Sequence, residues 1–422
     1  MIYDFNSLIE VLPTILISFL LFSIFYRKYY SSIYDPIFYN IVIYLSFSTS
    51  LMFIVNSDNS YFILKFLISQ FTFYLGFIFF NKFYKNRFLT KSNYKLSKLS
   101  LQQLALITLI TFIIITILNC IIIAKQGIVL FSESPTEAKV DAFAGGLGIL
   151  RRVLWTLSPF SIIGSIILIL AKYYRKIFIY ILLISVVFVG LSGSKGALVI
   201  IVFYIYILTM HKVLKGSIIS KTFKKILPFL FILAISLAIY ILYIENDSFE
   251  LAFYSLINRL LFNGDVVIYY YDPIVQQYFQ KYTFLNFLPD ALNGPLGMLR
   301  LVPYKLPLGF QMVYEYNRCR LPYDTILGPN TPFYIVADLY FGLICGSIYS
   351  FFTGAFIAYC RLLFQKNRKN AVSLALSTWF YMCSFTFLIE FGLFIGRVFE
   401  MFVFFLPIYC FVYLIYYKRS KN

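Results

Sequence analysis

Four arginines, Arg259, Arg300, Arg318 and Arg320, fall within one long polar stretch, about residues 245–331, of a chain that is 61% hydrophobic. Guanidinium groups grip phosphates through paired hydrogen bonds. The stretch is therefore suited to handling an anionic, lipid-linked substrate. It is rich in Tyr and Phe and holds no histidine; the single histidine, His211, lies elsewhere. The competing assignment is a solvated surface on which these arginines pair with Asp265, Asp272, Asp290, Glu315 and Asp324.

Other groups add to the inventory. In Gly193–Ser194–Lys195–Gly196 the glycines let backbone N–H groups approach an anion and Lys195 supplies a point charge; an ordinary tight turn with an interfacial lysine fits the same residues. Arg151 and Arg152 precede a span on the outer side, where basic residues are disfavoured, and Arg397 follows the apolar connection FGLFIG. Each is either a phosphate ligand or a side chain snorkelling to lipid headgroups. Asp338 lies several residues into a span and Glu390 near the end of another. Carboxylates at such depths line cavities or pair with cations, and either can take a proton from a sugar hydroxyl. Lys65, also within a span, reads as a snorkelling residue.

The elements that must position these groups are membrane helices. Mean hydropathy is +0.81 and only 13% of residues are charged. Apolar runs long enough to cross about 30 Å of hydrocarbon recur along the chain. The expected fold is an all-α polytopic membrane protein with about eleven spans (range 11–14), near 9–26, 38–56, 61–80, 101–124, 153–171, 177–191, 196–210, 226–244, 333–360, 371–391 and 397–416. The segments between alternate spans hold most of the 36 Lys and Arg and a single acid, Asp35. The positive-inside rule then places the N-terminus outside and the C-terminus inside. The net charge of +18 is accounted for by topology, and nucleic acid is not an expected partner.

The chain is organised as one membrane domain. Residues 1–244 carry eight spans and a small outer loop at 127–152, residues 245–332 form a large outer loop, and residues 333–422 carry three more spans and a tail. The loop opens with ENDSFELAFYSLINRLLF, whose apolar spacing predicts an amphipathic helix along the membrane surface. Its Pro-rich, aromatic remainder predicts short helices and ordered turns. The cytoplasmic connections are short and carry no Walker-type glycine loop, and no Cys/His cluster or DxD pair suggests a metal. Neither an ATPase nor a metal-dependent transferase is expected, and no cofactor is expected.

Three segments resemble the O-antigen (oligosaccharide repeat unit) polymerases. They are GLSGSKGALVIIVF with its G-S-[KR]-G turn, INRLLFNGDVVIYYY, which includes Arg259–Tyr271, and GPNTPFYIVADLYFGLICG at Gly328–Gly346. The resemblance covers roughly residues 145–350. It implies a GT-C-like bundle in a bacterial inner membrane that joins undecaprenyl-diphosphate-linked repeat units on the periplasmic face without metal. The implied partners are the lipid-linked glycans, membrane lipids, a chain-length regulator and a flippase. On the matching motifs Lys195, Arg259, Asp265 and Asp338 are the family positions; Arg151, Arg152, Arg300, Arg318, Arg320, Glu390 and Arg397 are added from charge and placement. The assignment is Asp338 as base, with Arg259 and Arg320 foremost among the arginines that clamp the diphosphate. The related ligase calls for a histidine in the outer loop, which this chain lacks. A lipid-linked oligosaccharide flippase, the third reading, calls for repeated halves and short outer loops.

Overall fold

The computed structural model of the protein describes residues 5–88, 95–132, 135, 138, 148–194, 196–215, 218–261, 265–318, 328–366 and 369–421. Among them every regular element is helical. That is the solution an apolar chain must find in hydrocarbon, where each backbone N–H and C=O has to be satisfied within its own segment. Among the described residues nine helices are long and apolar enough to cross a membrane: α1 (Leu8–Tyr26), α2 (Phe38–Val55), α3 (Ser60–Tyr84), α4 (Lys98–Phe131), α5 (Gly148–Leu170), α8 (Ile219–Asn246), α14 (Phe333–Gln365), α15 (Ala371–Ile389) and α16 (Phe391–Tyr417). The protein is an all-α, multi-pass membrane protein.

Nine is two fewer than the eleven the sequence predicts. The two remaining helices are α6 (Arg175–Leu191, 17 residues) and α7 (Ala197–Met210, 14 residues). At about 1.5 Å per residue they reach roughly 25 and 21 Å, short of the hydrocarbon thickness. Between α8 and α14 the predicted short helices are present: α9 (Phe249–Leu261), α10 (Val266–Tyr270), α11 (Pro273–Phe279), α12 (Phe284–Met298) and α13 (Leu308–Tyr316). Local chemistry sets their starts. Asp272 accepts the Ile274 N–H with Pro273 as the first helical residue, and Thr283 and Asn286 form a reciprocal capping box.

The chain divides into two compact units. The first comprises Met1–Phe88, Ile257–Leu362 and Tyr381–Arg397; the second comprises Leu89–Leu256, Leu363–Phe380 and Val398–Asn422. In the first unit α3 and α14 cross with their backbones nearly touching. A Cβ on Gly76 would run into the Phe351 carbonyl, and one on Gly354 into the Phe73 carbonyl. Such small-residue crossings let membrane helices associate through packing, since lipid supplies no hydrophobic drive between them. Phe73 packs on Phe333, and Phe66 meets Tyr334 edge-on. Arg361 then ties the far end of α14 to Tyr29 O at 2.6 Å and to Asn81 Oδ1 at 3.3 Å.

In the second unit α5 is buried along most of its length against α4, and Gly164 lies where a Cβ would strike Thr108 Oγ1. Phe160 stacks between Phe405 and Trp379. The one histidine is structural: buried His211 meets the Phe364 carbonyl at 2.9 Å through Nε2 and takes the Val213 N–H on Nδ1.

These crossings make a specific forecast. Gly76→Ala and Gly354→Ala should each destabilise the protein by about 2 kcal/mol or more, because carbonyl backbone cannot yield as a side chain can. Gly396→Ala, where a Cβ meets nothing within 4 Å, should be neutral or gain up to about 1 kcal/mol. Thermal unfolding of the detergent-purified variants checks the contrast; equal losses at all three would remove the close crossing as the cause.

Candidate functional site

Asp338 sits in a π-helical turn, Ala337–Phe341, near the start of α14. The turn inserts an extra residue into the helix and ends at Gly342, whose φ of +65° only glycine adopts freely. Asp338 Oδ1 accepts a hydrogen bond from Lys65 Nζ of α3 at 2.8 Å, and Oδ2 accepts one from the Tyr270 hydroxyl at 3.2 Å. The Asp338 side chain is 9% exposed and that of Lys65 19%. Lys65 also stands over the Tyr61 ring, 4.7 Å from its centre. The pair lines a small cleft together with Ser69, Tyr271 and Tyr334.

Tyr270 reaches Asp338 because α10 is fixed at both ends. Val266 and Val267 are fully buried, Gln276 Nε2 donates to the Tyr270 carbonyl at 2.7 Å, and Tyr271 stacks on Phe62 of α3 at 4.5 Å. Burial, followed by the nearby Asp338 charge, pushes the Tyr270 phenol well above its ordinary range, so it remains a donor to the carboxylate.

The same π turn addresses a second acid. The Tyr340 hydroxyl donates to Asp290 Oδ2 at 2.8 Å, and Lys305 Nζ lies 3.6 Å from Asp290 Oδ1. Asn293, one turn along α12, holds this loop: its amide donates to the Pro303 carbonyl and accepts from the Lys305 N–H. Asp338 and Asp290 are thus each bracketed by a tyrosine hydroxyl and a lysine, with Asp338 and Tyr340 two residues apart on one turn. Such a carboxylate can accept a proton, and its lysine can meet an anion.

The other sequence-derived residues are distributed as follows. Asp265 precedes α10 in the first unit and is buried. Glu390 occupies the break between α15 and α16, half-buried, and Arg397 lies on α16, both in the first unit. Arg151 and Arg152 belong to the second unit. Arg152 donates to Glu400 Oε1 at 2.7 Å and Thr156 to Glu400 Oε2 at 3.5 Å, while Arg151 lies over the Trp155 ring at 4.9 Å. Arg259 is on α9, and its side chain lies outside the described structure. Lys195 and Arg320 are outside the described residues. Asp272 caps α11, and the partners of Asp290 are a lysine and a tyrosine.

Arg300 and Arg318 are exposed, each just past a helix end, with φ of +57° and +53°. Arg300 is the left-handed residue of a Schellman ending: its N–H bonds Gly297 O and the Leu301 N–H bonds Leu296 O. Glycine is the cheaper residue in that conformation.

Sequence reasoning missed Tyr270, Tyr340 and Lys305, and it read Lys65 as a snorkelling residue where the structure pairs it with Asp338. For Lys65 a signal existed. A lone cation in one apolar span and a lone acid in another are each costly, and pairing relieves both. Comparison with protein-family models, curated proteins and solved structures finds no match.

Replacing Arg300 by Gly should raise stability by about 1 kcal/mol, since the left-handed backbone no longer strains against a Cβ; Arg300→Ala should not. Thermal unfolding reads the difference. A glycine variant less stable than wild type would mean that the arginine side chain outweighs the strain.

Proposed function

We propose that the protein joins lipid-diphosphate-linked oligosaccharide repeat units into a polymer, as the O-antigen polymerases do. In this reading it lies in a bacterial inner membrane with a GT-C-like bundle, its N-terminus outside and C-terminus inside. The loop at 245–332 then faces the periplasm, α9 lies along the membrane surface, and a flippase and a chain-length regulator act before and beside it. The observation that carries the reading is the arrangement at Asp338. A largely buried carboxylate, where the long loop enters a span, is held between a lysine and a phenol on a helical irregularity. Single-turn π irregularities recur at functional sites.

The transfer follows from these groups. The acceptor sugar's hydroxyl displaces the Tyr270 hydroxyl, the longer of the two contacts, and donates to Asp338. Its oxygen forms the new bond to the anomeric carbon of the donor while the bond from that carbon to the diphosphate oxygen breaks. The bonding electrons leave with the lipid diphosphate, and the acceptor's proton passes to Asp338. As Asp338 takes the proton, Lys65 loses its counter-charge, and its ammonium becomes available to the departing diphosphate. A fixed cation that gains a partner as negative charge develops stabilises the transition state more than the ground state. Arg259 and Arg320 complete the clamp, with Arg300 and Arg318 recruiting the anion from the loop surface and Asp290 with Tyr340 orienting a sugar.

The purified protein in liposomes, given its native lipid-diphosphate repeat unit, should produce a ladder of longer lipid-linked glycans. Asp338→Asn, which keeps size and hydrogen bonding, should slow that ladder by about 100-fold or more. Substrate that crosses the bilayer unlengthened would replace this reading with a flippase, and a ladder unaffected by Asp338→Asn would remove Asp338 as base.

A further inference from the structure

The first unit holds a second polar cluster that the transfer reaction does not use. Asp265, at the head of α10, is 7% exposed, and its Oδ1 has no hydrogen-bond partner. Tyr44 and Ser48 lie one turn apart on α2, and Tyr334 lies in the first turn of α14; all three are buried. Their hydroxyls adjoin one another, and the Asp265 carboxylate is within electrostatic reach of both phenols. Yet none of these four oxygens meets a partner in hydrogen-bond geometry. One orphaned buried hydroxyl is unremarkable, but four oxygens from three elements, one of them a carboxylate, indicate a missing occupant.

Charge and donor type narrow that occupant. No described lysine, arginine or histidine pairs with Asp265, and a buried carboxylate must either keep its proton or hold a cation. Three hydroxyls and one carboxylate are hard oxygen donors bearing a single negative charge. Transition metals favour imidazole or thiolate, and calcium sites gather more oxygens and more carboxylates. We infer that Asp265, Tyr44, Ser48 and Tyr334 form a binding site for a monovalent alkali cation of the sodium class. Occupancy fixes the head of α10, whose last residue is Tyr270, and so reaches the candidate site through five residues of helix.

The test uses the full chain in detergent, with thermal unfolding in sodium, potassium and choline chloride at equal ionic strength. At about pH 8 sodium should raise the wild-type Tm by about 2 °C or more over choline. Asp265→Asn should respond to none of the salts. Ser48→Ala and Tyr334→Phe, which keep the charge, should need roughly fivefold more sodium for the same shift. They carry the test if Asp265→Asn does not fold. Sodium-23 line broadening on wild type gives a second readout. Equal wild-type Tm in all three salts with no broadening, or an unchanged sodium midpoint in Ser48→Ala and Tyr334→Phe, would overturn the site. Since neither readout involves glycan transfer, it stands or falls separately from the polymerase proposal.

Discussion

The first unit is organised around one ion pair between two spans. Lys65 and Asp338 stand 273 residues apart in sequence and 2.8 Å apart in space. Either charge alone inside an apolar helix costs roughly 2.5–3.5 kcal/mol on insertion scales, so neither α3 nor α14 is comfortable without the other. The pair therefore specifies which helices meet and in which register. The glycine-to-carbonyl contacts at Gly76 and Gly354 lie along the same crossing. The pair also fixes α10, since Tyr270 completes the coordination of Asp338.

What the sequence made legible is what depends on composition and local spacing. The long spans and the short helices after α8 follow from apolar run length and proline position. The π turn did not. One inserted residue barely disturbs a hydrophobic run, yet it decides which way Asp338 and Tyr340 face. Helices α6 and α7 looked like spans because apolar content is easier to read than length, and their lengths leave them short.

Of the candidate site, the acid was legible and its partners were not. Asp338 stands out as a lone carboxylate in an apolar stretch; its lysine lies in a segment far along the chain, and nothing local announces the match. The outer double arginine shows the same limit. Arg152 read as a phosphate ligand or a snorkelling side chain, but its partner is Glu400, 248 residues away and almost fully buried. Arginines that seemed equivalent in sequence thus separate into one engaged in a structural pair, others exposed on strained backbone at helix ends, and Arg151 laid over an indole. Of the loop arginines whose side chains are described, Arg300 and Arg318 are both exposed.

The central claim is that the Lys65–Asp338 pair acts chemically as well as holding two helices together, and a charge swap separates the two roles most directly. In the Lys65→Asp/Asp338→Lys double variant the attraction across the crossing is restored with its direction reversed. A catalytic pair requires that the swap recover most of the thermal stability lost in either single variant while leaving glycan polymerisation in liposomes abolished, because the base and the cation now occupy each other's positions. Recovery of polymerisation along with stability would contradict it and leave the pair a structural clasp.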